Sequence, residues 1–249
     1  MEIDALKRSL SEWLVEHLHN TGRKGYCLGI SGGVDSCVLT HLLAAEGIPY
    51  SSVHYVFDEQ EARGSNKVIK FLRAKTDLEI EVVDHQAPFS TCYSSVYKGK
   101  AGAFEDYLFK AILKGKLAHI DLSYRASQAD FLVLGTINLD EFTLGYFVKN
   151  TCTGDLLPFA GLPKKTIREL GSHLGVPPSI CSIKASGCVY GTTAEEEWGF
   201  TEEDVYYYIS DQKDRLDLAV IERIGAKERS MDHKRAFPPI FRHGFQKGT

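Results

Sequence analysis

The stretch Gly25-Tyr26-Cys27-Leu28-Gly29-Ile30-Ser31-Gly32-Gly33-Val34-Asp35-Ser36 decides the fold. Its first half is short and apolar and reads as a strand over 25–30. Its second half is a glycine turn running into a helical stretch over 38–45. Two adjacent glycines let the backbone turn tightly with no Cβ in the way. The helix that follows points free N–H groups and a partial positive charge into the turn. Ser31 and Ser36 add hydroxyl donors. The ligand such a turn prefers is a phosphate, here a pyrophosphate. Asp35 would repel a bare phosphate, so it makes sense as a Mg²⁺ ligand. The same residues also read as a plain glycine turn capped by Ser and Asp. Neither a G-x-x-x-x-G-K-[ST] loop nor G-x-G-x-x-G is present.

Working outward, Leu6, Leu10, Trp13, Leu14 and Leu18 recur at near-helical spacing and predict a helix over 4–19. Residues 50–57, 79–83 and 131–134 read as strands. Residues 66–74, 104–129 and 164–174 read as helices, with smaller helices over 201–210 and 215–224. Strands alternating with helices predict an α/β fold: a Rossmann-like parallel sheet with helices on both faces, in one domain over 1–249. Segments 86–103 and 181–200 are polar and turn-rich and read as loops. Hydrophobic residues at 43% and charged residues at 25% exclude wholesale disorder. A net charge of −4 argues against a strongly basic nucleic-acid binder. Apolar runs such as 131–134 are far too short to span a bilayer. With an acidic start and no signal-like segment, a soluble cytoplasmic protein is expected. The six cysteines, at 27, 37, 92, 152, 181 and 188, form no C-x-x-C pair and read as reduced thiols.

The Ser31–Ser36 loop between strand and helix resembles that of the ATP pyrophosphatases (PP-loop enzymes), which split ATP into AMP and pyrophosphate. Five further segments narrow the resemblance: Gly135-Thr-Ile-Asn-Leu-Asp-Glu141, Gly145-Tyr-Phe-Val-Lys149, Gly154-Asp-Leu-Leu-Pro158, Gly161-Leu-Pro-Lys-Lys165 leading to Leu174-Gly-Val-Pro177, and His233-Lys234-Arg235. Their order is similar to that of ammonia-dependent NAD synthetases over nearly the whole chain. The resemblance implies that Gly29, Ile30, Ser31, Gly32, Gly33, Val34, Asp35 and Ser36 hold ATP. Thr136, Lys164 and Ser186 would join them. Asp35 and Glu141 would hold Mg²⁺. Lys149, Asp155, His233 and Lys234 would face deamido-NAD, and the family's homodimer is implied too. The chemistry fits: a carboxylate meeting a negative α-phosphate needs cations, so Asp35, Glu141 and Lys164 are the catalytic candidates. Asp155 is a candidate to take a proton from ammonium or to bind it.

The substrate side departs from the family pattern. In place of Gly-Asn and an Ala-Arg-x-Arg stretch stand Gly115, Lys116, Ala118, His119, Ile120 and Asp121. His119 then occupies the place of an arginine that contacts deamido-NAD, and neutral His offers one donor where Arg offers a charged fork. Two acceptors stay open: deamido-NAD, or another small carboxylic acid amidated by the same adenylation. A tRNA-modifying enzyme would want a basic face and a cysteine pair. Individually, Glu141 also reads as an ordinary acidic helix start, Lys149 and Lys164 as surface lysines, and His233-Lys234-Arg235 as a solvated tail.

Overall fold

The computed structural model describes residues 2–59, 67–76, 80–97, 103–149, 151, 153–184 and 193–239. Helix α1 (Ile3–Thr21) leads into β1 (Gly25–Gly29), α2 (Val34–Ala45) and β2 (Tyr50–Val56). Then follow α3 (Lys67–Lys75), β3 (Glu81–Asp84), α4 (Gln86–Val96), α5 (Ala103–Ala129) and β4 (Phe131–Val133). The C-terminal half is helical: α6 (Leu139–Leu144), α7 (Lys164–His173), α8 (Pro178–Cys181), α9 (Ala194–Trp198), α10 (Glu202–Ile209), α11 (Leu218–Ser230) and α12 (Asp232–Arg235). A 3₁₀ turn, Lys213–Arg215, precedes α11.

The four strands form one parallel sheet in the order β3-β2-β1-β4. Gly29 lies beside Val53, and Cys27 beside Val133. Successive side chains of β1 point to opposite faces. Tyr26, Leu28 and Ile30 pack against Leu10 and Leu14 of α1, Val38 and Leu42 of α2, Val68 and Leu72 of α3, and Ile167 and Leu170 of α7. Cys27 points the other way and joins Val53, Tyr55 and Val133 against Leu122 and Ala126 of α5. The sheet is therefore covered on both faces, as the alternation of elements requires. Leu144, Phe200, Val205 and Ile224 form a smaller cluster that ties α6 to α10 and α11. Strand order reverses between β1 and β4. In a parallel α/β sheet that is where a crevice opens at the strands' carboxyl ends.

Several expectations need correction. Residues 86–96 are a helix rather than a loop. No side chain of α4 is buried, so it has no apolar stripe to betray it. Instead Phe89, Tyr93 and Tyr97 stack at four-residue spacing, and Phe109 of α5 lies against the last two. Pro88 falls in the first turn, where its missing N–H costs no helical hydrogen bond. Within 181–200, residues 194–198 form α9, which a Thr193–Glu196 capping box starts. The helix expected over 215–224 is α11, beginning at Leu218 and continuing to Ser230. Cys27, Cys37, Cys92 and Cys181 are free thiols, and the first, second and fourth are buried. Cys152 and Cys188 lie outside the described residues. No described helix is long and apolar enough to cross a membrane.

Candidate functional site

The phosphate-type turn forms where the sequence places it. β1 ends at Gly29, and the Ile30 amide donates to the Val53 carbonyl at 2.8 Å, which fixes the start of the turn against β2. Gly32 has φ +87°, a conformation that side chains disfavour. The two serines hold the turn itself. Ser31 N donates to Ser36 Oγ at 3.2 Å, Gly33 N donates to Ser31 Oγ at 3.2 Å, and Ser36 Oγ donates to the Gly33 carbonyl at 3.3 Å. Ser36 is wholly buried, so in the ligand-free protein its hydroxyl serves the loop. The helix that opens at Val34 has no side chain capping its N-terminus, leaving its first amides for a ligand.

Asp35 sits on the first turn of α2 and is buried, 7% exposed. Its Oδ2 accepts from Lys164 Nζ at 2.6 Å and from Asn138 Nδ2 at 3.1 Å. Its Oδ1 is buried with no hydrogen-bond partner among the described residues. A carboxylate oxygen can only accept, and an orphan acceptor out of water is costly, so the atom calls for a cation or donor. Lys164, also buried at 6% exposed, begins α7. Burial pulls its ammonium pKa down, but the negative charges of Asp35 and Glu141 outweigh that and raise it, so the charge is kept.

Two residues to which the sequence reading gave no site role lock this pair in place. Asn138 caps α6: its Oδ1 accepts from the Glu141 amide at 2.9 Å, and Glu141 Oε2 accepts from the Asn138 amide at 3.2 Å. One Asn138 side chain thus starts the helix and holds Asp35. Asn at 138 with Glu three residues on is a capping-box pattern, a signal present in the sequence. Asp140, 3% exposed, accepts from the Lys164 amide at 3.1 Å. The residue before Lys164 is Pro163, which offers no side-chain cap, so Asp140 caps α7 from a different helix. The crowding shows in the acids. Burial and the charge of Asp35 push Glu141 above the ordinary carboxylate range. Burial pushes Asp140 up to about 6 despite its bond from Lys164.

Beside the turn, at the carboxyl ends of β1, β2 and β4, lies a cleft of about 540 Å³. Gly29, Ile30, Ser31, Thr136 and His119 line it, so those expected residues are brought together. Lys114 also lines it and pairs with Asp58 at 3.1 Å. A polar groove of about 400 Å³ adjoins it, sharing His119, Val133 and Gly154, and includes Asp155 and Ser123. Asp155 Oδ2 accepts from the Val133 amide at 2.8 Å, closing the open edge of β4. Asp121 is bonded by Arg125 Nε at 2.6 Å. Lys149, His233 and Lys234 gather elsewhere. Lys149 Nζ donates to the carbonyls of His233 and Ala236, and Lys234 Nζ to those of Gly145 and Phe147. None of the three lines the cleft. Ser186 lies outside the described residues. Among the described residues no group of three His, Cys, Asp or Glu forms a ready metal cage. Mg²⁺ commonly takes one or two carboxylates and completes its shell with water and substrate phosphates. The orphan Oδ1 of Asp35, with Glu141 close by in charge, fits that mode.

Residues 6–238 match the family model described as NAD synthase. The chain is 31% identical to the NH(3)-dependent NAD(+) synthetase of Finegoldia magna, over 97% of each protein. It is 31% identical to that of Mannheimia succiniciproducens, over 92% of this chain and 94% of the relative. Among solved structures it is similar to the NMN synthetase from Francisella tularensis, with a TM-score of 0.83 and 25% identity over 97% of this chain and 100% of that one. The NH3-dependent NAD synthetase from Campylobacter jejuni shares the fold, with a TM-score of 0.75, 16% identity and coverage of 97% and 100%.

Proposed function

The chain belongs to the NAD synthase family, and from that premise we propose that it adenylates the nicotinate carboxylate of deamido-NAD with ATP and amidates it with ammonia. As a member of that family it is an amide-forming, AMP-forming ligase of NAD biosynthesis. The observation that carries the fuller reading is the buried Asp35 with its unpartnered Oδ1, held by Lys164 and Asn138 at the start of α2.

The chemistry follows from charge. A carboxylate is a poor electrophile. Its oxygen attacks the α-phosphorus of ATP, the α–β bridging bond breaks, and pyrophosphate leaves. Ammonia then attacks the acyl carbon, AMP leaves with the electron pair of the acyl–oxygen bond, and one proton is lost from nitrogen. The amides of Gly33 to Ser36 cradle phosphate oxygens at the helix start. Lys164 holds a positive charge on the phosphates. Asp35 and Glu141 would hold a magnesium ion, which when bound neutralises charge on the phosphate oxygens. Thr136 and the cleft residues Gly29, Ile30 and Ser31 take the nucleoside end; Ser186, outside the described residues, is assigned to ATP by the resemblance alone. His119 and Asp155 would face the acceptor, and Asp155, exposed on its groove, would take a proton from ammonium. The family resemblance alone assigns Lys149, His233 and Lys234 to the acceptor, since here they lie away from the cleft and the two lysines donate to main-chain carbonyls.

Purified protein with ATP, Mg²⁺, ammonium and deamido-NAD should yield AMP and NAD in equal amounts. AMP without NAD, or no AMP, counts against the reading. A second acceptor, nicotinate mononucleotide, is favoured by two observations. The NMN synthetase has a higher TM-score than the Campylobacter jejuni enzyme, and the acceptor groove presents His119 in the place of an arginine. Running both acids in parallel separates the two. We also propose a cytoplasmic homodimer of one-domain chains. Val82, Val96, Ile120 and Tyr124, all about half or more exposed, lie on β3, α4 and α5 and supply apolar area for it. Sedimentation velocity giving only monomer would refute the dimer.

A further inference from the structure

The His233-Lys234-Arg235 run ends in a residue with a job of its own. Helix α6 is six residues long. A helix that short has little stability alone and depends on its ends. The Asn138–Glu141 capping box secures its start. Its far end is closed from the C-terminal region. Arg235 Nη1 donates to the carbonyls of Phe142 and Thr143, at 3.3 and 2.5 Å, the last turn of α6. Arg235 Nη2 donates to the Glu228 carbonyl at 2.6 Å, in the last turn of α11. One guanidinium therefore joins two helix C-termini, where helix-end carbonyls and the negative end of the helix dipole meet a cation. Its side chain is 16% exposed, so solvent screens these bonds little. Asp232 also bonds it.

The docking is tight. Gly145, which ends α6, has φ +60°, and a Cβ there would stand 2.3 Å from Met231 Cβ. Lys234 adds bonds to the carbonyls of Gly145 and Phe147, at 2.8 and 2.9 Å. The Tyr146 amide donates to the carbonyl of Glu141 itself at 2.8 Å. What grips the end of α6 thus grips the backbone of Glu141 one turn away.

We propose that Arg235 is a positioning residue for the Glu141 carboxylate, acting through the C-terminal end of α6. This rests on the assignment of Glu141 to the ATP–metal site. The guanidinium touches no substrate; it sets where the carboxylate stands. A lysine in its place reaches fewer carbonyls, because a point charge cannot fork to both helices.

The test compares Arg235→Ala and Arg235→Lys with Arg223→Ala. Arg223 Nη1 donates to the Gly199 carbonyl at 2.6 Å, so it too caps a helix end, that of α9. In ligand-free protein, Arg235→Ala should speed exchange of the Tyr146 amide by about tenfold. In turnover it should raise the Mg²⁺ concentration for half-maximal rate by about tenfold while kcat changes by less than about threefold. Arg235→Lys should fall between it and the wild type. Arg223→Ala should lower the melting temperature comparably but leave the Mg²⁺ requirement unchanged. Unchanged Tyr146 exchange in Arg235→Ala, or a Mg²⁺ requirement that moves no more than in Arg223→Ala, overturns the proposal. A wild type without Mg²⁺-dependent turnover overturns the site assignment and the functional half of the inference; the exchange measurement then still decides the clamp.

Discussion

Replacing Lys164 by Met removes the one cation bonded to Asp35 among the described residues while keeping the volume of the side chain. The two charges stand 2.6 Å apart, with side chains 8% and 11% exposed. At an effective dielectric of about 20, that separation corresponds to about 6 kcal/mol of gross attraction. Most of it offsets the cost of taking both ions from water. The mutant does not recover that cost, because Asp35 stays buried with Asn138 as its one donor. The net loss should be about 3–5 kcal/mol, the range for an orphaned partner of a buried pair. Asp35→Asn should cost less, because Lys164 keeps Glu141 as a counter-charge. The double variant Asp35→Asn/Lys164→Met buries no orphan charge and should lie within about 2 kcal/mol of wild type. Urea unfolding of the four proteins closes the cycle. A coupling below about 0.5 kcal/mol would refute the view that the pair is one desolvated unit.

Further outcomes follow from the same geometry. Asp140→Ala leaves the Lys164 amide without its acceptor and should cost about 1–2 kcal/mol and lower ATP turnover; Asp140→Asn, which keeps an acceptor, should largely restore both. Equal turnover in the two variants would contradict the capping role. Asp140 and Glu141 both have raised folded-state pKa values, Asp140 to about 6. A raised carboxylate pKa means that the fold holds the proton more tightly than the unfolded chain does. That stabilisation is complete below about pH 4 and lost as pH rises through the folded values, about 3 kcal/mol for Asp140 alone. The stability of ligand-free wild type relative to Asp140→Asn should therefore fall between pH 4 and pH 7, and a flat difference curve would exclude the shift. Gly145→Ala combines a positive φ with the contact to Met231 and should cost about 2–4 kcal/mol. Adding Met231→Gly should return the steric part but not the backbone part, as thermal melts would show.

How much was legible differed by element. The Ser31–Ser36 turn was readable because its signals are local: a glycine pair, with Gly32 at the positive φ, a strand before and a helix after. The three later strands were readable for the same reason, each lying between helical stretches. Helix α4 was not, because its aromatic rings stack along its own surface and onto Phe109 instead of filling a core. The short helices α6, α8, α9 and α12 take their stability from caps and tertiary contacts, which periodicity does not register. The same limit applies to the site. Asp35 and Lys164 were named from their motifs, but nothing local says that residues 129 apart bond each other. Asp140 reads with Glu141 as an ordinary acidic helix start, and its capping bond is not legible because the partner amide lies in another helix, 24 residues on. Lys149 and Lys234 read as ligand contacts, yet their ammonium groups donate to carbonyls 84 to 89 residues away. Such contacts exist only once the chain is folded.

The central claim is that the turn at Ser31–Ser36, with Asp35, Glu141 and Lys164, grips ATP together with a divalent ion. Titration calorimetry of the folded protein with ATP, with and without Mg²⁺, tests it most directly. Saturable binding of ATP that requires Mg²⁺ and disappears in Asp35→Ala is the expected result. Well-folded wild type that shows no Mg²⁺-dependent uptake of ATP would contradict the account.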